Sequence, residues 1–193
     1  MKNKINKILV TGSSGIIGNR LCEFLNQKEI DYLGVDIRDN IWNENVSSKT
    51  IKMDLKDTIE DDLLPDNLDM IIHLAANARV YNLVIEPGMA RDNFIMLFNI
   101  CELARMKNIK KIIFSSSREV YGNSNRIIHN ENESYVKYCE SPYTASKIAG
   151  EALLHSYKQC YGIENIILRF SNVFGKYDYS DRVIPQFILG SLK

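Results

Sequence analysis

At 193 residues the chain suffices for one ordinary domain and is too short for two large ones. Apolar residues make up 45% and charged residues 25%, a globular balance that excludes a disordered or collagen-like protein. Lysine plus arginine equals aspartate plus glutamate at 24 each, which recommends no nucleic-acid partner. No run approaches the roughly 18 apolar residues of a membrane helix. Polar Met1–Lys7 precedes an apolar run of only Ile8–Val10, too short for a secretory leader, so the expected address is the cytoplasm.

In chain order, Ile8–Val10 reads as a buried strand ending in a glycine turn. A helix follows with Ile17, Leu21, Phe24 and Leu25 on one face. Tyr32–Asp36 is the second strand and Thr50–Met53 a weaker third. Between them, polar 38–49 reads as loop; acidic 57–64 reads as a short helix closed by Pro65. Asp69–Leu74 is a strong strand, 90–107 a long helix and Lys111–Ser115 the fifth strand. Asn-rich 122–141 reads as a loop carrying Asn123, Asn125, Asn130 and Asn132. Pro142–Tyr161 is a helix, with proline at its start and Gly162 just past its end. Asn165–Phe170 is the sixth strand. Nearly continuous apolar strands alternating with helices predict an α/β fold, a doubly wound parallel sheet covered on both faces. Cys22, Cys101, Cys139 and Cys160 are scattered, and neither a zinc site nor a disulfide framework is expected.

The first strand leads into Thr11-Gly12-Ser13-Ser14-Gly15-Ile16-Ile17-Gly18. Gly12 permits the tight turn, Gly15 lets backbone approach a pyrophosphate, and Gly18 lets the helix pack close to the sheet. The helix start then offers free N–H groups to phosphate. Asp36 ends the second strand, where a carboxylate accepts the hydroxyls of an adenosine ribose and repels a 2′-phosphate. NAD is thus favoured over NADP, with Arg38 the one residue that blurs the preference. The Gly-x-x-Gly-x-x-Gly spacing resembles the extended branch of the short-chain dehydrogenase/reductase superfamily.

Two further segments bear on chemistry. Tyr143-Thr144-Ala145-Ser146-Lys147 places a phenol and an ammonium on one helix face. A tyrosine near pKa ~10 is a poor base at neutral pH, and a Lys147 ammonium beside a cationic nicotinamide is expected to favour its phenolate. Alone, Tyr-x-x-x-Lys is commonplace on exposed helices. Ser115-Ser116-Ser117-Arg118-Glu119-Val120-Tyr121-Gly122 closes the fifth strand, at the sheet edge where ligands bind. The Ser117 hydroxyl there can reach the same substrate oxygen as Tyr143.

Taken with Asp54-Leu55, His73-Leu74-Ala75-Ala76, Asn93 and Leu168-Arg169-Phe170-Ser171-Asn172-Val173-Phe174-Gly175, these motifs resemble the NAD-dependent nucleotide-sugar epimerase/dehydratase family. The resemblance covers essentially the whole chain and implies a Rossmann fold. It implies a cofactor site of Gly12, Gly15, Ile16, Ile17, Gly18, Asp36, Asp54, Leu55, Ala75, Ala76, Asn93, Ser115, Tyr143 and Lys147. Core packing accounts equally for Leu55 and the alanines. Ser117, Tyr143, Lys147 and Glu119 are the implied catalytic residues; Ser117, Asn172 and Arg182 are implied to touch substrate, and no metal is expected.

The implied reaction starts with oxidation at sugar C4, Tyr143 taking the hydroxyl proton as hydride passes to NAD. An epimerase then re-reduces the keto sugar, whereas a 4,6-dehydratase uses an Asp-Glu pair after its Ser/Thr. Arg118 and Glu119 stand there, and arginine gives up no proton near neutrality. Epimerase is therefore the reading, on a nucleotide-sugar and most readily a UDP-sugar. Glu119 keeps a nucleotide-uronate decarboxylase in contention, unless it is merely a solvated loop carboxylate. A non-catalytic NAD-binding module is the competitor of different class.

Two departures stand out. Relatives run more than half as long again, so 1–175 is expected to be the NAD-binding domain and 176–193 the start of a substrate region otherwise absent. The chain then reads as a fragment or truncated product, a cofactor-binding half inactive by itself, unless another chain completes the site. Met96-Leu97 stand where relatives often have Gly-Thr, on a helix through which, with the Tyr-x-x-x-Lys helix, the resemblance implies a homodimer.

Overall fold

The computed structural model describes residues 7–57, 59, 63–123, 127–134 and 136–191. Six strands form one all-parallel sheet: β1 (Ile8–Thr11), β2 (Tyr32–Asp36), β3 (Thr50–Lys52), β4 (Met70–His73), β5 (Lys111–Ser117) and β6 (Glu164–Phe170). Their order is β3-β2-β1-β4-β5-β6. Crossing from β3 to β4 passes back over β1, so the chain reverses direction across the sheet between β1 and β4. That reversal opens a crevice beyond the carboxyl ends of the strands.

Helices are α1 (Ile16–Gln27), α2 (Glu44–Ser47), α3 (Val80–Ile85), α4 (Gly88–Met106), α5 (Pro142–Tyr161) and α6 (Val183–Ser191). The main core lies where α4 and α5 cover one face, with Leu9, Ile71, Leu97, Ile100, Ile112 and Leu154 essentially inaccessible. Full burial of each such side chain contributes about 1.5–3 kcal/mol. α5 starts on a Ser141 cap whose hydroxyl accepts from Thr144 N, and stops where Gly162 turns left-handed at φ 70°.

Several expectations are corrected. The stretch 38–49 is not all loop: Asn43 caps α2 by accepting from Asn45 N and Val46 N. The α1 core face is Gly18, Cys22 and Leu25, while Phe24 is 47% exposed. Asn19 and Glu23 are buried instead, because Asn40 donates to Asn19 Oδ1 and Asn43 to Glu23 Oε1 from the adjoining loop. The sheet is not covered throughout on both faces. On β6, Ile166 and Leu168 are exposed, since α1 packs over β1 and β2 and does not reach that edge. A short 3-10 turn, Val136–Tyr138, lies within the 122–141 loop. Residues 58 and 60–62 of the acidic segment, with Asn125, lie outside the described residues. No helix among the described residues is long and apolar enough to cross a membrane.

Of Met96 and Leu97, Leu97 is accommodated by a glycine on the facing helix. A Cβ on Gly150 would lie 2.8 Å from Leu97 Cδ2 and 3.0 Å from Phe114 Cζ. The larger residue on α4 is offset by the smallest one on α5.

Candidate active site

A crevice of about 1330 Å³ runs along the carboxyl edge of the sheet, from Asp36 at one end to Tyr143 at the other. At its centre lies the glycine turn. Gly12 adopts φ 72°, and a Cβ there would sit 2.8 Å from Ala75 N, so the turn closes against the strand β4 exit. A Cβ on Gly18 would collide with the Gly12 carbonyl. The intimate contact is thus between helix and turn, not helix and sheet as the spacing had suggested. No side chain caps α1 at Gly15, and Gly15, Ile16 and Ile17 face the crevice. Their helix start presents N–H groups and a positive dipole end to an anion.

Asp36 is buried, and each carboxylate oxygen has an amide donor: Ser14 N to Oδ2 and Arg38 N to Oδ1, both at 2.9 Å. The Arg38 guanidinium is 69% exposed and only 3.7 Å from Asp36. Asp54 and Leu55 flank the same end, Leu55 doubling as a core residue. Ala75 and Ala76 line the middle. The Thr11 hydroxyl accepts from Leu74 N and Ala75 N, so its own proton goes to His73 Nδ1 at 2.8 Å. Burial holds the His73 imidazole neutral, pulling its pKa down to about 3.

Asn93 does not reach the crevice. Its side chain accepts from Asn77 N at 2.7 Å and donates to Asn77 O at 3.0 Å and Ser146 Oγ at 3.4 Å. It stands one layer back from the crevice, holding the β4 exit loop to α5.

At the other end, Ser117, Tyr143 and Lys147 come together. The Ser117 side chain lies close enough to the Tyr143 hydroxyl to lower its pKa and accepts from Glu119 N at 3.2 Å. Lys147 Nζ donates to Ser115 O at 2.8 Å and lies 5.6 Å from the Tyr143 ring centroid. Ser115 Oγ in turn donates to His73 O. In the chain by itself the electrostatics disfavour a phenolate. Burial pushes the Tyr143 phenol above its ordinary pKa; Glu119 adds to this, while Ser117 and Arg182 oppose it. Lys147 is not among the groups that move it. Burial alone pulls Lys147 down to about 8, which leaves it an ammonium at neutral pH.

This makes a stability prediction. Below about pH 8 Lys147 is protonated in both folded and unfolded chains, and the fold bears the full cost of the buried ammonium. From pH 8 to 10.5 only the unfolded chain keeps the proton, so stability rises with pH as the cost fades. Lys147→Met is expected to be more stable than the native chain at pH 7, by up to about 3 kcal/mol at 1.36 kcal/mol per unit less its hydrogen bond. Paired thermal melts should show this gap closing between pH 8 and 10; a pH-independent gap would contradict it.

Asn172 and Arg182 are exposed and face the crevice from the segment after β6. Two ties that sequence reasoning missed hold this segment. Tyr179 stacks on Trp42 at 5.3 Å between centroids, with Tyr177 on the same indole at 5.4 Å, and the Tyr177 hydroxyl donates to Glu23. Asp181 pairs with Arg79 before α3. The chain's one tryptophan in a polar stretch, and two tyrosines two apart, were the available signal. Among the described residues, no cluster of three or more His, Cys, Asp or Glu could hold a metal ion.

The sheet order, the reversal between β1 and β4 and the glycine turn over a free helix start define a Rossmann dinucleotide-binding protein. A family model, the NAD dependent epimerase/dehydratase family, matches residues 8–192. The chain belongs to that family, whose members are enzymes. It is 36% identical over 174 residues to a putative UDP-glucose 4-epimerase of Methanocaldococcus jannaschii, covering 88% of this chain and 56% of that one. To a dTDP-D-glucose 4,6-dehydratase of Dictyostelium discoideum it is 31% identical, covering 97% and 49%. Among solved structures it resembles a UDP-N-acetylglucosamine 4-epimerase of Methanobrevibacter ruminantium M1 in complex with UDP-N-acetylmuramic acid. The TM-score is 0.84 at 33% identity, over 98% of this chain and 63% of that one. The chain thus spans between about half and two thirds of the length of these relatives.

Proposed function

We propose that this chain carries the cofactor-binding and proton-transfer elements of an NAD-dependent nucleotide-sugar epimerase. The observation that carries the reading is the convergence of Ser117, Tyr143 and Lys147 at one end of a crevice whose other end is Asp36. The chain fits the dinucleotide: an uncapped helix start for the pyrophosphate, and an Asp36 carboxylate oriented by two amides for the adenosine ribose. When bound, NAD supplies the acceptor and later the donor of the sugar's hydride. The protein's part is the proton. Ser117 orients the sugar hydroxyl and Tyr143 takes its proton, then returns it. Lys147, anchored to Ser115 O, supports the hydroxyls of the nicotinamide ribose. Asn172 and Arg182 hold the nucleotide-sugar, a UDP-sugar by analogy with the relatives' names, with 176–193 belonging to the substrate region.

Arg118 favours epimerase over dehydratase, since it stands directly after Ser117 in place of the acid that would protonate a leaving hydroxyl. A uronate decarboxylase is the second reading, favoured by Glu119 facing the crevice within electrostatic reach of Tyr143. Calorimetric titration with NAD, repeated with UDP-sugars and UDP-uronates present, tests all of this. Affinity raised by a UDP-sugar supports the epimerase, and affinity raised only by a uronate supports the decarboxylase. Binding indifferent to either points to a cofactor-binding module, and no NAD binding refutes every version.

Asp36→Ala removes the acceptor of two amides and of the proposed ribose hydroxyls. Hydrogen bonds to a charged group are worth about 1.5–3 kcal/mol, so NAD should bind roughly ten- to a hundred-fold more weakly by the same calorimetry. Unchanged affinity would remove Asp36 from the site.

A further inference from the structure

The helix that carries Tyr143 and Lys147 has a third buried polar residue on the same face. Tyr143, Lys147 and Glu151 follow at four-residue intervals on α5, and each is 8% exposed or less. All three meet the serine run of β5. Tyr143 stands beside Ser117 and its pKa is lowered by it, Lys147 donates to Ser115 O, and Glu151 Oε1 accepts from the Ser116 hydroxyl. Ser116 is the strand neighbour of Arg169 on β6. The Arg169 guanidinium grips Glu151 with both forks, Nε to Oε1 at 3.0 Å and Nη2 to Oε2 at 2.7 Å. Its third nitrogen, Nη1, donates to Glu131 O at 3.0 Å and Glu133 O at 2.7 Å in the loop ahead of α5. Its Cζ lies 4.7 Å from the ring centroid of Tyr121, in the turn after Ser117.

Neither Glu151 nor Arg169 lines the crevice, so neither is placed to touch substrate or cofactor. A buried ion pair is also a poor source of stability, because desolvation offsets most of its attraction. What the pair does have is geometry. A bidentate fork fixes distance and angle together, and this one joins β5, β6, α5 and the loop leading into α5.

We propose that Glu151 and Arg169 are a positioning pair that sets the register of α5 against β5, and so the approach of Tyr143 to Ser117. This rests on the epimerase reading only for its catalytic consequence; the positioning itself is a property of the fold. Arg169→Lys keeps the charge but loses the fork and both carbonyl contacts. Glu151→Gln keeps the shape but loses the charge. Should either fold poorly, Glu151→Leu combined with Arg169→Met removes the buried charges, and stability is then retained or improved.

The measurement is the pH titration of the Tyr143 ring carbon in tyrosine-labelled protein by NMR, with Tyr143→Phe assigning the resonance. Thermal unfolding and, with NAD and a UDP-sugar, kcat and KM are measured beside it. The expected result is a displaced Tyr143 titration in Arg169→Lys and in the apolar double variant, with near-native unfolding temperature in the latter. The kcat should fall at least tenfold and KM little. A double variant that is stable and titrates at Tyr143 as the native chain does would overturn the proposal and leave the pair a packing feature. A native chain that turns over no nucleotide-sugar would behave as a cofactor-binding half without its substrate region, and the Tyr143 titration decides the positioning in that case as well.

Discussion

In a form long enough to complete the substrate region, Tyr143→Phe should lower nucleotide-sugar turnover by about 10²–10⁴-fold, the range that positioned acid–base groups contribute, with NAD affinity close to native. Removing one oxygen leaves the ring that packs beside Leu83 and Ala90, so the fold has no reason to change. Lost with it is the atom that Ser117 orients. Because burial and Glu119 both raise the Tyr143 pKa, the phenol is protonated at neutral pH in the chain by itself. That state suits it to give a proton more readily than to take one, and base action should strengthen as pH rises. The native rate of sugar oxidation should therefore climb with pH, and the residual rate in Tyr143→Phe should not follow it. Stopped-flow absorbance of the nicotinamide with a UDP-sugar reads both. A variant that keeps native turnover, or the same pH dependence, would take the proton transfer away from Tyr143.

Gly18→Ala should have the second large effect, and on binding rather than on chemistry. The added methyl would meet the Gly12 carbonyl, with Gly12 C at 2.8 Å and Ser13 Cα at 2.9 Å. All three are backbone, so no side chain can rotate away. Either α1 withdraws or the turn opens, and overpacking of this kind costs about 1–3 kcal/mol. The distortion falls on Gly15, Ile16 and Ile17, the amides proposed for the pyrophosphate. NAD affinity should drop by more than tenfold, with a lowered unfolding temperature, as calorimetry and a thermal melt would show. Gly162→Ala is the control. Its Cβ would meet nothing within 4 Å, so it carries only the strain of a left-handed φ and should leave NAD binding alone. Equal loss of affinity in both would mean that general destabilisation, not the turn, was responsible.

Much of this was legible in the sequence because it depends on local chemistry. Tyr32–Asp36 and Pro142–Tyr161 form over the stretches that apolar runs, proline and glycine mark out. The glycine turn, Asp36, and the Ser117, Tyr143 and Lys147 set could be picked out because spacing along a strand or helix determines which face a residue takes. The family, too, was readable from those motifs.

Tertiary structure decided what depends on neighbours distant in sequence. Asn93 looked like a cofactor residue and proved to be occupied by Asn77. Phe24 looked like core and is exposed, because Asn19 and Glu23 found partners in the loop after β2. A phenolate at Tyr143 was expected from Lys147 together with a bound nicotinamide; in the chain by itself burial raises the pKa, and depth of burial is not written in a four-residue spacing. Glu151 and Arg169, 18 positions apart on different elements, are two ordinary charged residues until β6 pairs with β5 and α5 folds across them. Periodicity reports how a segment presents its own side chains; only packing reports what they meet, and solvation and charge follow from the latter.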